Sequence, residues 1–130
     1  MELLKNTLLR KEISCLRKLN KMEINFKDWQ NLDLRVAEVL EAEDHPNADK
    51  LYVLKIKLGE EEKTIVAGIK NHYGKEELVG KKIVVLANLE PAVLRGVKSE
   101  GMLLAASGED KENVVLLTVD KDIESGSTIG

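Results

Sequence analysis

From Leu32 onward the apolar residues recur in short runs at a period of two, broken by turn-forming residues about every eight to twelve positions. Alternation sends successive side chains to opposite faces of an extended backbone, so these runs can bury one side only as strands. Tyr52, Leu54, Ile56 and Leu58 define one face of a strand expected over Leu51 to Leu58, and Val53, Lys55 and Lys57 define the other, the lysine side being the solvated one. The run begun by Leu32, Leu34 and Val36 changes parity through Ala37, Val39 and Leu40. That shift predicts a bulge or a strongly coiled long strand able to serve two sheet edges. Thr64 to Ala67, Ile83 to Leu89, Met102 to Ala106 and Val114 to Val119 read as further strands. Between them, Gly59 to Lys63 reads as a hairpin loop, Asn71 to Val79 as a short helix or helical turn, and Ser107 to Asn113 as a polar loop.

Five or more short strands with one helical insertion after the third indicate a small all-β barrel, and the five-stranded oligonucleotide-binding barrel (OB-fold) fits the size. The 130 residues hold one compact domain with an appended element. That element is a predicted helix over residues 3 to about 22: Leu4, Leu8, Leu9, Ile13, Leu16, Leu19 and Met22 recur at helical spacing opposite Arg10, Arg17, Lys18 and Lys21. The expected division is therefore a basic amphipathic helix and connection over residues 1–25 and a barrel over 26–130. Such a stripe reads first as a packing face for the same domain or a partner, and membrane-surface or direct RNA contact are the lesser alternatives. Phe26 and Trp29 read as structural anchors in the connection.

Net charge is −3, so overall electrostatics gives no support for a polyanionic partner. The distribution is more informative. Residues 1 to 21 carry +4, which leaves −7 on the rest, so a nucleic acid would need a local patch. Cys15 is the single cysteine, which excludes an intrachain disulfide and fits a reducing cytoplasm. No apolar stretch is long enough to cross a bilayer as a helix, and a soluble intracellular protein is expected.

Chemistry-bearing residues concentrate between Val85 and Ala106, where two apolar runs flank a turn holding Pro91, Gly96, Gly101, Arg95, Lys98 and Ser99. Ser99 precedes Gly101 by two residues, but position 97 is Val, so the Gly-x-Ser-x-Gly nucleophile elbow fails. Gly80-Lys81-Lys82 lacks the remaining elements of a phosphate-binding P-loop. His45 and His72 stand in no catalytic spacing, and Asp44, His45 and Asp49 in no recognisable metal-ligand spacing. The chain reads as a non-enzyme without cofactor or metal. Arg95 and Lys98 beside Met102 combine cations with an apolar side chain, as a nucleic-acid surface would; on residues alone, a packed loop with ordinary surface cations is an equal reading.

Leu34-Arg35-Val36-Ala37-Glu38-Val39, His45-Pro46-Asn47-Ala48-Asp49-Lys50-Leu51-Tyr52, Ile65-Val66-Ala67-Gly68-Ile69 and Ala87 to Ala92 through Ser99 to Ala105 resemble, in order, the tRNA-binding domain at the C-terminus of methionyl-tRNA synthetases. Similar domains occur as stand-alone tRNA-binding proteins and synthetase-associated cofactors. The resemblance covers residues 26 to 130. It implies an OB-fold barrel that grips tRNA by shape and backbone, often as a homodimer, and strengthens aminoacylation by tethering tRNA to a catalytic chain. The implied contact motif falls on Asn88, Ser99 and Met102, with Lys50 and Tyr52 supplying neighbouring strand surface. Val93 stands where the family commonly has lysine, and Arg95 and Lys98 are the expected replacement cations. Because the chain begins with Met1 and carries no catalytic signature, it is expected to be a separate small subunit of methionyl-tRNA synthetase or a stand-alone tRNA-binding protein, with the basic helix docking it on a larger enzyme. The alternative is an export-chaperone-like dimeric barrel of the same family, which would bind unfolded peptide.

Overall fold

The computed structural model describes residues 22–109 and 112–130. The chain divides after Asn31 into two units, each described by itself. The helix expected over residues 3 to about 22 lies almost wholly outside the described residues. Within the described part of the first unit, helix α1 (Phe26–Gln30) starts at Asn25, whose side chain accepts a hydrogen bond from the Asp28 backbone N–H at 2.8 Å. It buries none of its residues. Phe26 and Trp29, expected as anchors, are therefore exposed.

The second unit is built on strand β1 (Leu34–Asp44). Its first half pairs antiparallel with β4 (Lys82–Leu86) on one side and with β10 (Thr128–Ile129) on the other. From Glu38 onward it pairs with β2 (Tyr52–Leu58), which continues into β3 (Glu61–Ala67). The β1–β2 register passes from Val39 opposite Ile56 to Glu41 opposite Lys55, so Leu40 is the extra residue. This is the parity shift of the sequence, and it bends one strand so that it can serve both neighbours. With β7 (Met102–Leu103) on the far side of β4, the five-strand path runs β3-β2-β1-β4-β7, and β10 completes the sheet beside β1. Two separate hairpins, β5–β6 (Ala92–Leu94 and Val97–Ser99) and β8–β9 (Ala105–Ser107 and Val114–Leu116), extend it. The mostly β, OB-type architecture follows the sequence expectation.

One departure is the start of β3. Glu61 to Lys63, expected as loop, are strand residues paired with Leu58, Lys57 and Ile56. Glutamate is a poor strand former, but here Glu62 stands opposite Lys57 and its carboxylate lies 3.9 Å from Lys55, both solvated lysines of β2. The seam between β3 and the segment after β6 is closed farther along, where Glu100 N–H donates to the Thr64 carbonyl at 2.8 Å.

The interior is aliphatic. Val39, Leu54, Ile56, Ile65, Ile83 and Val85 from four strands are buried to 2 % exposure or less. Helix α2 (Lys75–Leu78) sits between β3 and β4 and buries Leu78 alone. The Glu77 carboxylate accepts from Gly74 N–H at 2.7 Å, satisfying one orphan donor at its start. Tyr73, from the preceding loop, accepts at its phenol from Leu116 N–H (3.0 Å), while its carbonyl accepts from the Tyr52 hydroxyl (2.8 Å). No described helix is long and apolar enough to cross a membrane.

Leu78 is the side chain that joins the insertion to the core. Leu78→Ala should lower unfolding stability by about 3 kcal/mol through reduced burial and the cavity left behind. Urea denaturation checks this; a change under about 1 kcal/mol would mean that α2 does not plug the core.

Candidate nucleic-acid interface

Hairpin β5–β6 carries the cations singled out in the sequence. Its register sets Ala92 opposite Ser99, Val93 opposite Lys98 and Leu94 opposite Val97, which leaves Arg95 and Gly96 as a two-residue turn. Both have positive φ, 52° and 92°. That is the pattern of a type I′ turn, whose twist matches that of the flanking strands. Glycine adopts it without penalty, whereas an arginine in the left-handed region costs about 1–2 kcal/mol. Arg95 is the described non-glycine residue held this way. A cation is thus fixed at the hairpin tip against the backbone preference of its residue type.

The hairpin is held at both ends. At its base the Ser99 hydroxyl accepts from Val66 N–H (3.0 Å) and donates to the Gly101 carbonyl (3.0 Å). Gly101 is needed here, since a Cβ would stand 3.0 Å from the Leu86 carbonyl oxygen. At its tip the turn after β1 reaches across. His45 Nε2 donates to the Leu94 carbonyl at 2.8 Å, and Asn47 Nδ2 donates to the Arg95 carbonyl at 3.1 Å. His45 Nδ1 accepts from Asn47 N–H at 2.9 Å, so the ring proton is assigned to Nε2. Asp44, just before, is bridged by Lys70 (3.2 Å) and Lys75 (2.9 Å), and these ammonium hydrogen bonds, that of Lys75 foremost, hold its carboxyl below the usual carboxylate range.

Docking the tip on this turn brings Lys50 and Arg95 to one hollow of about 380 Å³, lined also by Asn47, Ala48, Asp49 and Leu51. Lys98 projects from the outer face of the hairpin, directly across from Val93. The position where lysine was expected is thus apolar, with a cation as its cross-strand neighbour. Val93 is 69 % exposed, and Leu94 and Met102 are exposed as well. Among the described residues, Lys50, Arg95 and Lys98 form no ion pair.

Three other expected contact residues lie differently. Tyr52 is 4 % exposed on the core face of β2, and Ser99 is 6 % exposed with its hydroxyl engaged as above. Neither offers surface: Tyr52 supports the core and Ser99 anchors the hairpin. Asn88 is exposed, but it lines a separate cleft of about 730 Å³ and its Oδ1 accepts from Asp33 N–H at 2.9 Å. Carboxylates of Asp33, Glu60, Glu61 and Glu124 outnumber the cations Arg35 and Lys63 there. Arg35 is bound to Asp33 at 2.8 Å, and Lys63 Nζ donates to the Ala87 carbonyl at 3.2 Å. That cleft is unsuited to a polyanion. His45 and Asn47 were missed as supports of the site; in the sequence His45 was weighed as a base or metal ligand, and Asn47 stood within the family-like run His45 to Tyr52. Of the residues weighed as metal ligands, Asp44, His45 and Asp49, the Asp44 carboxylate is bridged by two lysines and both His45 ring nitrogens are hydrogen-bonded.

An OB-type barrel presenting a cationic hairpin docked on an adjoining turn defines a nucleic-acid-binding class of domain. The family model described as "Putative tRNA binding domain" matches residues 34–128, and the chain belongs to that family. It is 53 % identical over 106 residues to the methionine–tRNA ligase of Pyrococcus horikoshii and 55 % identical over 106 residues to that of Caldanaerobacter subterraneus subsp. tengcongensis. Each match covers 82 % of this chain but only 14 % and 16 % of the ligases, so the chain spans a small part of these relatives' length. Among solved structures, a MetRS-related protein from Pyrococcus horikoshii superposes with a TM-score of 0.78 at 35 % identity, covering 84 % of this chain and all of that one. The chaperone CsaA of Bacillus anthracis str. Ames superposes at 0.76 with 34 % identity and the same coverage of both chains.

Arg95→Asn should stabilise the fold by about 1 kcal/mol, since asparagine tolerates the left-handed backbone. The same change should weaken nucleic-acid binding by removing the tip charge. Urea midpoints and a gel shift on one preparation check both effects; a drop in stability would disprove the strain assigned to this turn.

Proposed function

We propose that this chain is a non-catalytic tRNA-binding module, acting in the cytoplasm as a homodimer, which tethers tRNA for methionyl-tRNA synthetase as its small subunit or trans-acting partner. The observation that carries the reading is that Lys50 and Arg95 line one hollow, with Lys98 on the same hairpin as Arg95, and that among the described residues none of the three forms an ion pair, in a chain of net charge −3. Unpaired cations are free to replace counterions along a phosphate backbone, and the acidic remainder of the barrel repels RNA laid elsewhere. Val93 and Met102 add exposed apolar surface against which a base or ribose can rest. With few base-reading groups beside the cations, recognition rests on backbone and shape rather than sequence. Of the expected contacts, Lys50, Arg95, Lys98 and Met102 are read as touching RNA, Ser99 as anchoring the hairpin, Tyr52 as part of the core, and Asn88 as lying outside the contact surface. The exposed Val115 and Leu117 supply apolar area that a second copy would cover.

The basic segment over residues 1–25 is read as the part that docks the barrel on a catalytic chain. Pull-down from native extract should recover methionyl-tRNA synthetase with the full chain and fail to recover it when these residues are removed. Equal recovery by both forms would end that role.

A second reading, binding of unfolded peptide, is favoured by the exposed Val93, Leu94 and Met102 and by the similarity to CsaA. Titration of tRNA and of an unfolded polypeptide at several salt concentrations separates the two. Salt-sensitive tRNA binding is expected, and Lys98→Glu should weaken it roughly tenfold with a smaller salt slope. Salt-insensitive binding of polypeptide with no retention of tRNA would replace the first reading by the second.

A further inference from the structure

Hairpin β5–β6 is a small sheet of its own, and all three residues of β5 are exposed. Its base is tied to β3 through Ser99, but that bond lies at the far end of β6 from the turn. The tip is met by two side chains of the turn after β1, His45 on the Leu94 carbonyl and Asn47 on the Arg95 carbonyl. His45 is 5 % exposed, which is unusual for a polar residue in a turn, and both its ring nitrogens are used. One nitrogen shapes the local turn and the other holds the hairpin. The two bonds fall on the carbonyls of Leu94 and Arg95, so they fix the backbone from which the Arg95 side chain leaves.

We propose that His45, assisted by Asn47, is a positioning residue for RNA binding: it latches the β5–β6 tip so that Arg95 and Lys50 present their charges together. The inference rests on the tRNA-contact reading of Arg95. Without the latch the hairpin stays attached at Ser99 and the barrel stays folded, while the tip moves away from Lys50 and the two cations no longer act on one stretch of phosphates. A hydrogen bond to a carbonyl that touches no ligand thereby sets the affinity of a side chain that does.

Two substitutions separate the two nitrogens. Asparagine at position 45 keeps an acceptor near the Nδ1 position but has no atom at Nε2; glutamine places its amide nitrogen near Nε2 and can still donate to Leu94. Full-length protein and unfractionated tRNA are used, with far-ultraviolet circular dichroism and thermal melts to confirm folding. His45→Asn should weaken tRNA binding by about the factor that Arg95→Ala does, on the order of fivefold, and should reduce the salt slope by about 0.7–0.9 for each phosphate no longer neutralised. His45→Gln should retain most of the affinity. In an Arg95→Ala background His45→Asn should have little further effect, because it acts through the residue already removed. Should His45→Asn fail to fold, Asn47→Ala, at an exposed position, opens the second bond of the latch and is expected to show the same coupling to Arg95. Equal weakening in His45→Gln and His45→Asn, or undiminished weakening in the Arg95→Ala background, would overturn the latch. Weakened binding by Arg95→Ala beside unchanged binding by folded His45→Asn would overturn it alone. Unchanged binding by Arg95→Ala would overturn the contact reading and the latch with it.

Discussion

The barrel depends on one extra residue in one strand. Leu40, unpaired in the β1–β2 register, lets β1 turn from β4 and β10 toward β2 without breaking the sheet. Had the strand kept a strict alternation, Val39 and Ala42, three residues apart on the two sides of the bulge, would have pointed to opposite faces. The bulge instead sets Val39 opposite Ile56 and Ala42 opposite Leu54, so that all four stay on the core side of the bent strand pair. It also brings the end of β1, with Asp44 and His45, to the place where a turn can reach the β5–β6 tip. Core closure and the assembly of the cationic surface are thus consequences of the same local irregularity.

Electrostatics then divides the surface. The larger cleft is rich in carboxylates, its arginine is neutralised by Asp33 and its lysine is bound to a carbonyl. Among the described residues, the cations at the hairpin have no such partners. The size of a cavity is therefore a poor guide here, and the availability of charge is the better one. Among the described residues Arg35, Lys55, Lys70, Lys75 and Lys82 lie beside carboxylates, which lowers the charge they can offer a polyanion.

Much of the fold was legible because two signals are local: alternation gave β2 and its buried face, and the change of parity gave the bulge. Less legible were features decided by residues far along the chain. Glu61 to Lys63 became strand because Lys55 and Lys57 stand beside them, which outweighs the low strand preference of glutamate. The β5–β6 hairpin went unread because arginine is not a residue of left-handed turns, and the turn is held instead by the contacts of His45 and Asn47 with its carbonyls. Family resemblance did not tell which side chains of its motifs reach the surface, since Tyr52 and Ser99 are buried. The direction of the Ser99 hydroxyl is set by a donor on β3, and that of the Tyr52 hydroxyl by a carbonyl in the loop beyond it. The alternation had already placed Tyr52 with the core face, and that reading proved the better guide to its position.

The acidic beginning of β3 bears on how this barrel can associate. β3 ends the five-strand path, and the hydrogen bonds that tie it to the end of β6 and the residue after it fall at Val66 and Thr64, past Glu61, Glu62 and Lys63. An intruding strand that paired along Glu61 to Lys63 would have to crowd or desolvate these charges, which is how natural sheets keep their edges from growing into fibrils. The same residues that looked too polar for a strand thus act as a guard on its open edge, and they turn assembly away from strand addition and toward side-chain packing elsewhere on the barrel.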